Sequence, residues 1–137
     1  MSETEQAKRL RVELVTPAGP VFVDSAKRIV VPGRAGELGV LPRHIPLTAQ
    51  LKPGETRVLT MADEWVSYAT GAGYFKIQHD RASVLVESAV AAKEIDVEQA
   101  KADLEAARAR VGAEGSDQRR ALRDVEDAEN RIAIAGR

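Results

Sequence analysis

Along the first ninety residues apolar and polar side chains alternate in short runs. Leu10, Val12 and Leu14 are separated by Arg11 and Glu13, a period of two that buries one face of a strand and wets the other. Comparable runs at residues 10–15, 21–23, 28–31, 56–61, 64–69, 74–78 and 82–87 recur between turn signals, which predicts a β-sandwich or barrel. Val30 with Val31, and Val84 with Leu85 and Val86, are apolar on both faces and predict strands that lie more centrally. TPAGP at 16–20, KPGE at 52–55 and MADE at 61–64 provide reversals. Trp65, Tyr68, Tyr74 and Phe75 read as core or edge filler rather than as ligand-stacking groups.

From Asp96 the period changes. Val97, Ala100, Leu104, Ala107 and Val111 are spaced three and four apart and mark one stripe of a helix. Asp96 suits the N-cap, with Gln99 three residues on and Ile95 in the staple position. The glycines at 112 and 115 break this helix, and Ser116 is placed to cap a second one whose stripe is Ala121, Val125, Ala128, Ile132 and Ala135. A short antiparallel hairpin follows. Its seams are mostly alanine, so at roughly 25 cal/mol per Å² of buried apolar surface it gains little from its own packing and should be easily displaced. Its outer faces are charged, with Asp127 and Arg131 at the i,i+4 spacing of a helical ion pair. All six prolines lie at or before Pro53. The change of pattern divides the chain into a β-sandwich unit, 1–90, and a helical unit, 91–137.

At 137 residues, with 20 basic and 21 acidic side chains, the chain offers no excess charge for nucleic acid or anionic lipid. Without cysteine it has no disulfide, thiolate nucleophile or cysteine-held metal. No apolar run approaches the ~20 residues of a membrane helix, and residues 1–8 lack the hydrophobic core of a signal peptide. These features predict a soluble protein without direct membrane insertion, which reaches a membrane only through another protein.

Enzyme signatures are missing. Two histidines, His44 and His79, cannot make a three-histidine zinc site, and HExxH is absent. Gly33, Arg34, Ala35 and Gly36 lack the lysine and Ser/Thr of a phosphate loop. Gly71 and Gly73 lack the third glycine of a dinucleotide fingerprint. No catalytic or metal site and no cofactor are expected. The segment GELGVLPRHIPL at 36–47 is the most informative. Its glycines and prolines exclude regular helix, and it reads as a tight exposed corner presenting Glu37 and His44. An acid and base pair there would need a third orienting group and a dry pocket, so a contact corner is the better reading.

GELGVLPRHIPL, with VVP at 30–32 and LKPGE at 51–55, resembles the epsilon subunit of the rotary, F-type ATP synthase. GAGYFKIQHDRASVLVESA at 71–89 and EID at 94–96 continue the resemblance over nearly the whole chain. It implies a β-sandwich of about ten short strands followed by a two-helix hairpin, in a non-catalytic central-stalk rotor subunit. The implied partners are the gamma subunit, the c-ring and the alpha/beta catalytic hexamer, on the cytoplasmic face of a bacterial plasma membrane. The sandwich would help couple c-ring rotation to the hexamer, and the hairpin would hinder ATP hydrolysis when extended. Glu37 and His44 would face the c-ring loops.

Some members of that family bind ATP between the helices through a motif that here reads Ile95, Asp96, Val97, Glu98, Gln99, Ala100. Gln99 replaces the motif arginine, and Ala106 and Asp127 stand where further arginines are expected. Ile95, Asp96, Ala100 and Arg131 are thus the remains of a nucleotide site, and ATP binding is expected to be weak or absent. The competing reading is a free-standing β-sandwich module for a ligand or peptide, with a helical oligomerisation tail.

Overall fold

The computed structural model describes residues 9–112 and 115–135. Nine strands precede two helices: β1 (Leu10–Thr16), β2 (Gly19–Gly33), β3 (Gly36–Val40), β4 (Leu47–Leu51), β5 (Gly54–Thr60), β6 (Trp65–Thr70), β7 (Gly73–Gln78), β8 (Arg81–Val86) and β9 (Ala89–Ala91), then a 3-10 turn, Ala92–Glu94, and helices α1 (Val97–Arg110) and α2 (Ser116–Ile134). The hydrogen-bonded order is β1-β8-β7-β4-β2-β5-β6-β9, with β3 on β2 and β1 also on β2. The β1–β8 pair is parallel and the other pairs are antiparallel.

The fifteen-residue β2 makes this a sandwich. Its first half pairs with β1 and its second half with β3 and β5, with a register irregularity between Ala26 and Arg28. The strand bends there and belongs to both layers. The separate runs expected at 21–23 and 28–31 are therefore one element, and nine strands stand where about ten were expected. Leu10, Val12 and Leu14 lie in the core as their alternation requires, with Ile29, Val58, Phe75, Ile77 and Val84. Two turn residues in left-handed conformation, His79 (φ 52°) and Asp80 (φ 59°), link β7 to β8 as a two-residue hairpin.

One expectation changes. The segment 36–47 contains a strand, because residues 36–40 pair with β2 in regular register; only residues 41–46 form a loop. β8 lies centrally as expected, between β1 and β7, yet Leu85 is 55% exposed beside Tyr74 at 57% because the strand's outer face is uncovered. Strand centrality within a sheet is not burial of both faces. Of the aromatics, Phe75 and Tyr68 fill the core, while Trp65 is half exposed under the Arg57 guanidinium, 5.7 Å from its ring.

Candidate functional site

Glu37 and His44 sit on different elements and share no hydrogen bond or ion pair. Glu37, on β3, accepts from Arg57 Nη2 at 3.1 Å across the sheet. His44 lies in the loop after β3, where its Nδ1 is 2.7 Å from the Ile45 carbonyl and so carries the proton. The loop is pinned at Arg43, whose backbone N–H donates to Asp80 Oδ1 at 2.6 Å with φ at 67°. Leu41 and Ile45 project from it, Ile45 at 75% exposure. The geometry is that of a rigidly anchored apolar and imidazole-bearing tip. Glu37 is engaged by Arg57 and His44 by the Ile45 carbonyl, so the two are not brought together as an acid and base pair.

Each residue expected to belong to the nucleotide motif has a structural job. Asp96 caps α1 by accepting from the Gln99 backbone N–H at 3.1 Å, as its spacing predicts. Ile95 packs against the buried cluster of Ala69, Ala92 and Ile134. Ala100 is buried, with Leu104 and Ala107, on the stripe of α1. The Gln99 amide donates to Asp103 Oδ1 at 2.9 Å. Arg131 does not pair with Asp127; its Nη2 crosses to Asp103 on α1 at 2.9 Å, and Arg110 crosses from α1 to Asp124 at 2.7 Å. Local spacing favours an i,i+4 partner, but the facing helix presents a nearer carboxylate.

Between the helices lies an open depression of about 280 Å³, lined by Asp103, Ala106, Arg110, Asp124, Asp127 and Arg131. Both guanidiniums in it are occupied by carboxylates of the chain itself.

The second helix begins at Ser116, with Gly115 in the N-cap position at φ 68° and no side-chain cap bond, so the expected Ser116 cap is replaced by a glycine entry. Residues 113 and 114 of the expected break lie outside the described residues. The end of α2 docks on the sandwich. Ile134, one position before the Ala135 of the stripe read from spacing, is buried with Ala69 and Ala92, and Ile95 packs against them. Asn130 donates its amide to the carbonyls of Gly54 at 3.0 Å and Thr70 at 3.3 Å, and Arg123 meets Glu87 at 3.2 Å. Burial first, and then the neighbouring Glu87, push the Asp127 carboxyl up from 3.8 to about 6, with Arg131 opposing the rise. Spacing alone did not mark Ile134, Asn130 or Asp127 as dock residues. The one available signal was an isoleucine at both 132 and 134, more apolar surface than one narrow stripe uses.

A sequence model of the family described as "ATP synthase, Delta/Epsilon chain, beta-sandwich domain" matches residues 9–92. The chain is 39% identical over 131 residues to the ATP synthase epsilon chain of Desulforamulus reducens, covering 94% of this chain and 98% of that one. It is 38% identical over 134 residues to that of Geobacter sulfurreducens, covering 96% of each. A chain in the cryo-EM structure of the Euglena gracilis mitochondrial ATP synthase, OSCP/F1/c-ring, superimposes with a TM-score of 0.77 over 92% of this chain and 81% of its own, at 22% identity, a likeness of fold. Among the described residues no helix is long and apolar enough to cross a membrane. Carrying the sandwich that the family model describes and aligned through its helices with these relatives, the chain belongs to the ATP synthase epsilon-chain family.

Proposed function

We propose that this chain is a non-catalytic rotor subunit of a proton-driven ATP synthase. The sandwich, residues 1–90, rides on the gamma subunit and the c-ring, and the hairpin, residues 91–137, is a detachable arm that hinders ATP hydrolysis when it reaches the alpha/beta catalytic hexamer. The complex stands at the cytoplasmic face of a bacterial plasma membrane. The observation that carries this reading is the alignment of 131 residues with an epsilon chain of nearly the same length, which takes in both the sandwich and the hairpin.

Glu37 and His44 serve the c-ring contact in this reading. The support is a pinned corner whose apolar tip, Leu41 and Ile45, is exposed, as a surface awaiting a partner is. The arm reading is supported by the small dock, one four-residue apolar cluster and a few polar contacts.

The arm works without nucleotide. Three aspartates and two arginines line the interhelical depression, and the two arginines already bridge the helices through Asp103 and Asp124. A polyphosphate would have to displace those carboxylates and then face them. Calorimetric titration of the chain with ATP should show no binding in the micromolar range; micromolar affinity would refute the nucleotide-free reading. The rotor reading itself is tested by co-purification. The chain should bind a gamma subunit and c-ring of its own complex, and Ile45→Asp should weaken c-ring binding at least tenfold while leaving thermal stability unchanged. A chain that fails to bind either partner overturns it.

A further inference from the structure

On α2, Asp127 turns Oδ1 into the joint with the sandwich, where it is buried and accepts no hydrogen bond from the described residues. A β-carbon built on Gly71 would stand 3.6 Å from that oxygen and 2.9 Å from Ser88 Oγ; the helix thus approaches the turn after β6 closely enough that a side chain there would crowd it. The carboxyl is bracketed by dock contacts, Asn130 on the Gly54 and Thr70 carbonyls to one side and Arg123 on Glu87 to the other.

The charges around it favour the neutral acid. Glu87 at the end of β8, and Asp124 and Glu126 on α2, are negative. Arg131 opposes them but is engaged by Asp103 of α1, and Arg110 of α1 is engaged by Asp124. On β5, Arg57 is shared between Glu55 and Glu37, and β6 contributes only Tyr68 as a titratable group. Among the described residues an ionised Oδ1 held there has neither a donor nor a bonded cation, the costly arrangement for a buried charged atom.

We propose that Asp127 is a proton-operated latch: as the neutral acid it lets the hairpin lie on the sandwich, and as the carboxylate it drives the hairpin off. The inference rests on reading the hairpin as a detachable arm. The sign follows from linkage. The docked carboxyl holds its proton more tightly than the free one, so docking is at full strength below 3.8, weakens as pH rises, and is weakest above about 6. At tenfold per unit the window of roughly two units is worth up to about a hundredfold in the docking equilibrium, less the share lost to water at the partly exposed side chain. Above neutrality the arm is thus biased towards release, and acidification fastens it.

The full-length chain provides its own probe, since it has no cysteine and one tryptophan, Trp65, on the sandwich. A short-range energy acceptor is attached to Ala133→Cys at an exposed position near the end of α2, and transfer from Trp65 is followed between about pH 3.5 and about pH 8, with circular dichroism as a check on folding. Transfer should fall as pH rises from 3.8 to about 6 and level off above that. Asp127→Asn should hold transfer high throughout, and Glu87→Gln, which brings the docked carboxyl nearer its free value, should make the fall with pH smaller. Release in Asp127→Asn with the unchanged pH dependence overturns the latch, and so does release at every pH alike, which leaves the detachable arm standing. Transfer that stays high at every pH overturns both the latch and the arm.

Discussion

Thr56 and Thr70 are the buried polar side chains of the sandwich, and their hydroxyls lie 2.9 Å apart. Thr70 also donates to the Gly54 carbonyl at 3.3 Å, so the chain of donors runs Thr56 to Thr70 to Gly54. The two are therefore unequal. Thr70→Val leaves the Thr56 hydroxyl buried without an acceptor and should cost about 1–3 kcal/mol, whereas Thr56→Val removes only an accepted bond and should cost less. The double variant should be less destabilised than the sum of the two, as expected for partners in one network; urea unfolding of the three variants measures this. At Gly73 the constraint is space. A β-carbon there would lie 1.9 Å from the Leu85 carbonyl oxygen, so Gly73→Ala must open the β7–β8 ladder. It should cost several times more than an exposed Gly→Ala change, read as a fall in urea midpoint. Cutting Phe75, fully buried in the core, to alanine should cost about 3–5 kcal/mol.

Helix α1 is built to stand without help at its start. Asp96 accepts from the Gln99 N–H, and Asp96→Ala should lower hairpin stability by about 1 kcal/mol, visible as fraying of the first turn in amide exchange. This cap, the strand alternation of β1 and the alanine stripe of α1 were legible in the sequence, because each rests on neighbours within a few residues. Less legible were features that depend on what arrives from elsewhere. β3 and β4 alternate over only five residues each and flank a run with Pro42 and Pro46, and pairing with β2 and β7 is what makes them strands. Arg131 finds Asp103 on the other helix, beyond any local spacing. Asn130 and Ile134 look like ordinary helix positions until β5 and β6 supply the carbonyls and the apolar floor. Removing the amide with Asn130→Ala should weaken docking roughly fivefold to tenfold, the effect of about one hydrogen bond, in the same energy-transfer readout.

The whole molecule joins two bodies of unequal commitment. The sandwich has a continuous core drawn from β1, β2, β5, β7 and β8, while the hairpin meets it through Ala69, Ala92, Ile95 and Ile134 and a few polar contacts. That contrast suits a fixed rotor piece carrying an arm with two resting places, since a small dock is what a partner or a proton can tip. Division of labour between the two bodies is the central claim, and removal of the arm tests it most directly. The synthase is reconstituted with the full chain or with residues 1–96, and ATP hydrolysis is measured beside ATP-driven proton pumping. Truncation should raise hydrolysis and leave pumping per ATP intact; unchanged hydrolysis together with lost pumping would contradict the account.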